Sequence, residues 1–205
     1  MSHNFLSDKT IYIIRRQISV CSICFFTLAL IGCIAFRGGK VPQLSASHNA
    51  PAPDAPALGY RVTVLDEGKP AWERKVMSMT ADIYEELSNS GAFAAVSAPQ
   101  SQRFVLDIVV DERSDSTLRT VTSILSTLTV SVIPLYSRRE FELQAVLYRE
   151  GLEVKRYRFQ DHETDVGWLF FAFVQPFVNS RWGSTPENLT RHLVRQIVLD
   201  GSLRS

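Results

Sequence analysis

Few residues in this chain of 205 have types suited to covalent or metal chemistry. Cys21 and Cys24 form a C-x-x-C, a spacing used by redox and metal centres, but no strand–helix–strand pattern surrounds them. Asp161-His162-Glu163-Thr164-Asp165 collects oxygen and imidazole donors that could hold a cation if a loop folded around it. Its spacing matches no known ligand pattern, and a polar turn after a strand accounts for it. His48 lies in a Pro/Ala-rich stretch, and His192 adjoins Leu193 in a helical pattern, as a solvated or bordering histidine would. No G-x-S-x-G, phosphate-binding loop or H-E-x-x-H occurs. The sequence therefore assigns no catalytic residue, metal ligand or cofactor, and an enzyme is not expected. Cys33, the last cysteine in the chain, is the residue with chemistry still to explain.

Cys33 closes the run "FFTLALIGC". Upstream lie Lys9, Arg15 and Arg16 with Asp8 as the only acid, followed by Ile18 to Gly32, fifteen residues without a charge. A basic start, a short apolar run and a small residue at its end describe a secretory signal peptide. The run falls short of the roughly 20 residues of a spanning helix. Leu30-Ile31-Gly32-Cys33 resembles the bacterial lipobox. The resemblance implies cleavage after Gly32 and acylation of the Cys33 thiol, with Ile34 rather than aspartate implying the outer membrane. Several acyl chains, at about 0.8 kcal/mol per buried methylene, would anchor the chain firmly. The alternative is an uncleaved anchor in the inner membrane, since Ile18 to Phe36 is uncharged and Arg37 flanks it. Either way the remaining chain is expected outside the cytoplasm. Cys21 and Cys24 would be removed, and a fold without disulfides must be held by its core.

The expected organisation is a signal peptide (1–32), an acylated cysteine with a flexible tether (33–59) and a periplasmic domain (60–205). Residues 33–205 carry 19 Lys/Arg and 20 Asp/Glu, a net charge of −1. That balance argues against nucleic acid as a partner, because phosphate binding calls for a strong basic excess. From Arg37 to Gly59, Gly and Pro alternate with Ser, Ala and Asn, too few apolar groups to offset the entropy of ordering. A flexible linker of that length spans about 25–30 Å.

Tyr60 to Val64 alternates as a half-buried strand. Trp72, Val76, Met79, Ile83 and Leu87 mark one face of a helix ended by Asn89-Ser90-Gly91, with Glu85 and Glu86 on its exposed side. Phe93 to Val96 leads into an edge strand or loop. "FVLDIVVD", Phe104 to Asp111, predicts a central strand with Phe104, Leu106, Ile108 and Val110 inward and Asp107 solvated. Phe141–Tyr148 and Leu152–Phe159 predict a hairpin turning at Arg149-Glu150-Gly151, with Phe141, Leu143, Ala145 and Leu147 facing the core. Its basic residues Arg138, Arg139, Arg149, Lys155, Arg156 and Arg158 form a solvated face or meet anionic groups. A last helix starts at Ser184 or Thr185 with Pro186 and Glu187 completing the cap, and buries Leu189, Leu193, Ile197, Val194 and Val198. The fold class is α+β: an antiparallel or mixed sheet with two principal helices over one face. This order of elements behind a tether resembles the envelope proteins built on the TolB amino-terminal fold, a group that includes CsgG and LpoB. The resemblance implies a non-enzymatic module that binds other envelope proteins.

Two stretches are candidates for contact. Leu118 to Tyr136, uncharged after Arg119, reads as a helix lined by Leu118, Val121, Leu125 and Leu128 or as a strand through Leu128, Val130 and Val132 against Ile133. It is either a segment packed on the sheet or an apolar flap toward lipid or a partner. "WLFFAFVQPFV", Trp168 to Val178, is either a doubly covered strand or an aromatic contact surface. Trp168, Phe170, Phe171, Phe173 and Phe177, joined by Leu128, Val130 and Ile133, are the candidate partner or membrane contacts. The expected function is a membrane-anchored binding or assembly module; the alternative is an accessory subunit that handles lipid or another apolar ligand in transport.

Overall fold

The computed structural model of the chain describes residues 32–45, 50–99, 102–129, 132–168 and 184–203. The elements run β1 (Gly32–Arg37), β2 (Ala57–Asp66), β3 (Lys69–Pro70), α1 (Glu73–Asn89), β4 (Ala95–Ser97), β5 (Phe104–Ser114), α2 (Ser116–Leu128), β6 (Leu135–Arg149), β7 (Leu152–Trp168) and α3 (Thr185–Leu199). The strands form one mixed sheet in the order β1-β7-β6-β5-β2-β3, with β4 paired to β2. β2 runs parallel to β5 and β4, while the β1–β7, β7–β6, β6–β5 and β2–β3 pairs are antiparallel. The α+β class is as expected, and the sheet is of the mixed kind.

Alternation sets the core. Phe104, Leu106, Ile108 and Val110 of β5 and Phe141, Leu143, Ala145 and Leu147 of β6 are all buried, as their period of two requires. Met79, Ile83 and Leu87 of α1 and Leu189, Leu193 and Ile197 of α3 close over this face. Both tight hairpins, Glu67-Gly68 and Glu150-Gly151, place two consecutive residues at positive φ, the turn whose twist matches that of its flanking strands. Ser184 caps α3 by accepting from the Glu187 amide at 3.4 Å, and Asp115 caps α2 by accepting from Leu118 at 3.0 Å.

Several sequence expectations change. Trp72 precedes α1 and is 60% exposed instead of heading its buried stripe, and Val198 points outward on α3. Asp161 to Asp165 lie inside β7, not in a turn. Glu86 is not on a free face: both its oxygens accept from Arg191 of α3, through Nε at 2.7 Å and through Nη2. The basic hairpin residues are answered by acids, Arg138 by Glu140, Arg156 by Glu153, Arg158 by Glu142 and Lys155 by Asp200, and Arg149 lies over the Phe104 ring.

The segment read as a tether is pinned over its first part. β1 pairs with β7 along its whole length. Gly38 then donates to the His162 carbonyl at 2.7 Å, and Lys40 to the buried Asp161 carboxylate at 3.3 Å. Leu44 donates to Asn188 at 3.0 Å, while its carbonyl accepts from Arg191 at 3.1 Å. Composition pointed to a lack of apolar burial, and that is correct for most of this strap. Backbone hydrogen bonds to β7 and α3 hold it instead.

Candidate functional site: one end of the sheet

The apolar alternation of the core-facing strand positions stops partway. Beyond Val110, Val64 and Phe141 the same face continues with Glu112, Asp66, Arg139, Glu163 and Asp165. These side chains border an open cleft of about 860 Å³ shared with Lys75 and Asp82 of α1 and Ser184 and Pro186 at the start of α3. Glu112, only 7% exposed, receives Lys75 Nζ at 3.0 Å and Arg139 at 3.9 Å. Lys75 also reaches Asp66 at 3.2 Å, and Arg139 reaches Asp165 at 2.9 Å and Glu163 at 3.4 Å. The fully buried Thr185 donates its hydroxyl to Glu163 at 3.1 Å.

Each of these four carboxylates thus has a cationic partner. Such a network orders the ends of α1, α3 and the sheet, because removing one member strands a buried charge. It offers no carboxylate set apart for proton transfer. Asp82, at the rim, is held above the usual carboxylate range by burial and then by repulsion from Glu187, Glu85 and Glu86. Among the described residues no group of His, Cys, Asp and Glu is gathered as a metal site would need.

Beside the cleft stands α2, and its orientation is unusual. At 100° per residue, Leu118, Val121, Ile124, Leu125 and Leu128 fall within an arc of about 120°. Thr122 and Ser126 occupy a different side, and it is this hydroxyl seam that meets the protein. Thr122 Oγ1 donates to the Tyr136 carbonyl at 2.9 Å and accepts from its amide at 3.2 Å, and Ser126 is the buried residue of the helix. The apolar arc is exposed, with Ile124 at 56% and Leu128 at 75%. Val132, Ile133 and Tyr136 extend the exposed apolar surface past the helix, and Trp72 faces it across a second open cleft that Ile124 also lines. Thr120, Thr127 and Thr129 donate back to carbonyls of the helix at 2.8 Å. Their hydroxyls are therefore satisfied without water.

The candidate contacts divide as follows. Leu128 and Ile133 are on this exposed surface, and Trp168, the last residue of β7, donates its indole N–H to the Val132 carbonyl at 2.9 Å. Cys33 lies in β1 opposite Gly167, which in turn opposes Leu135 of β6. Across two strand spacings the Cys33 backbone is about 10 Å from that of Leu135. Four of the candidates therefore meet at one end of the sheet. Val130, Phe170, Phe171, Phe173 and Phe177 lie outside the described residues. The sequence reading grouped Leu118, Val121, Leu125 and Leu128 correctly but could not orient them. It missed Ile124 and Trp72, and the usable signal was the Thr122–Ser126 pair four residues apart, which marks the packed seam.

No protein-family model matches the chain, and no curated protein matches it. Among solved structures it is similar to a PelC variant dodecamer from Paraburkholderia phytofirmans, with TM-score 0.36, 13% identity, and coverage of 85% of this chain and 100% of that one. It is also similar to protein XCC0632 of family DUF330 from Xanthomonas campestris, with TM-score 0.39, 14% identity, and coverage of 76% of this chain and 93% of that one.

Proposed function

We infer that this protein is a membrane-anchored lipoprotein of the cell envelope, acylated at Cys33, whose α+β domain is a non-catalytic binding or assembly module on the periplasmic side of the outer membrane. The observation that carries the reading is the exposed apolar arc of α2, which turns its hydroxyl seam inward and its leucine, isoleucine and valine side chains outward. A helix that buries the wrong face for a monomer is a contact surface. The arc and β1 lie at the same end of the sheet, separated by β6 and β7, so under this reading the anchor and the contact surface share one end of the fold. The paired charges of the cleft support a structural and recognition role over acid–base chemistry.

The accessory-subunit alternative calls for a closed apolar cavity. The clefts among the described residues are open and bordered by charged side chains, so no observation favours it. The intact mass of protein purified from membranes tests the anchoring. Wild type is expected to match a chain beginning at Cys33 plus acyl groups, and Cys33→Ala to lose that mass. A full-length mass in both would replace the lipoprotein with an uncleaved anchor.

A further inference from the structure

We propose that α2 is a second membrane contact: its apolar arc lies in the interfacial layer of the same bilayer that holds the amino-terminal anchor. The inference rests on the anchoring reading above and names the occupant of the exposed face, a phospholipid surface.

Four observations choose lipid over a protein partner or a second copy. The first is where the chain outside the described fold begins. The uncharged run Ile18–Gly32 leads straight into β1, whose first residues oppose Trp168 and Gly167. Whether Cys33 is acylated or the run is an uncleaved anchor, hydrocarbon starts within a few strand spacings of α2.

The second is the lack of slack. Between the anchor and β2, the chain is a sheet strand followed by a strap tied to His162, Asp161, Asn188 and Arg191. A domain held this way cannot stand off the bilayer by the length of a free linker, so the end of the sheet that carries β1 rests on it.

The third is composition. From Thr120 to Ser137 the sequence has no Asp, Glu, Lys or Arg, and Thr129, the hydroxyl that borders the apolar arc, donates to the Leu125 carbonyl at 2.8 Å. Unpaired polar groups are what hydrocarbon penalises most, and this face presents few. The fourth is length. α2 has thirteen residues, about 20 Å of helix, and among the described residues no helix is long and apolar enough to cross a membrane. A short helix with one apolar and one polar side lies in the interface plane. Arg119 and the hydroxyls of Ser116, Thr120, Ser123 and Thr127, on the other side of the helix, would stay at the level of the headgroups.

Full-length protein carrying benzoyl-phenylalanine at Ile124, and separately at Leu128, is reconstituted into vesicles of phosphatidylethanolamine and phosphatidylglycerol and irradiated. Intact mass then reads what is attached. Leu152, at the β6–β7 turn on the far end of the sheet, is the comparison position. The expected result is a mass gain of one phospholipid at Ile124 and Leu128 and none at Leu152. Chain-to-chain dimers at Ile124 would assign the face to a second copy, and an unmodified chain would assign it to neither; both overturn the proposal. Vesicle flotation of the same samples separates the two claims. Protein that floats but gives no lipid adduct keeps its anchor and loses the α2 contact, whereas protein that fails to float removes the anchoring reading as well.

Discussion

Gly59 shows how closely single residues are fitted in this fold. A Cβ there would stand 2.8 Å from the Pro99 backbone and 3.2 Å from Gln102, and a backbone atom cannot step aside as a side-chain end would. Gly59→Ala is expected to destabilise by about 1–3 kcal/mol, read by urea denaturation. Asp82 gives a signed dependence on pH. Burial and the repulsion of Glu187, Glu85 and Glu86 raise its folded-state pKa above the unfolded value. The folded chain therefore binds the Asp82 proton more tightly, and the charged carboxylate costs stability once pH rises above the folded value. Asp82→Asn is expected to raise the urea midpoint at pH 7, with the gain shrinking as pH falls and vanishing below about 3.9, the ordinary aspartate value. An equal gain at both ends of that range would mean that the charge is not responsible. The glycine was invisible as a constraint in the sequence because Pro99 and Gln102 are distant along the chain; for Asp82, Glu85 and Glu86 were legible, but its burial and Glu187 were not.

Elements were legible where one periodic pattern decided their packing. The alternation of β5 and β6 and the stripe of α3 predicted the apolar core residues that those three elements supply, since burial of that face is the main force acting on them. Legibility failed where packing used polar groups. The Asp161–Asp165 run looked like a turn because it is charged, yet it continues β7 and meets Arg139 and the amino-terminal strap. The helix α2 was read as an amphipathic element without a side, since hydropathy cannot tell an apolar face turned inward from one turned outward. The link between α1 and α3 is of the same polar kind. Arg191 spans Glu86 and the Leu44 carbonyl and joins two helices and the strap at once, with side chains mostly buried. Arg191→Met is expected to cost about 2–4 kcal/mol because it leaves the Glu86 carboxylate stranded. Thermal unfolding of the double variant Glu86→Met/Arg191→Met should show a smaller loss than that single change. A double variant worse than the sum of the singles would contradict the stranded-charge account.

At the scale of the whole molecule the sheet has two unlike ends. One, at the Glu150-Gly151 turn, is an exposed hairpin. The other gathers β1, the Trp168 end of β7, the paired charges of the cleft and the outward apolar face of α2. Under the proposal, an anchor entering through β1 and a strap without slack would make that second end the one that meets the membrane. Substitution of the arc by Val121→Gln, Ile124→Gln and Leu128→Gln is expected to leave the urea midpoint nearly unchanged, as suits exposed positions, while weakening retention on vesicles in protein that lacks residues 1–32 and carries Cys33→Ala. Loss of stability without change in retention would show that the arc serves the fold instead. The most direct measurement of the central claim is amide hydrogen exchange on full-length protein, in detergent-free vesicles and in detergent, resolved by peptide. Protection should rise in vesicles across residues 116–136 and stay constant around 150–152. Equal exchange across 116–136 in both settings would place α2 away from the bilayer and contradict the account.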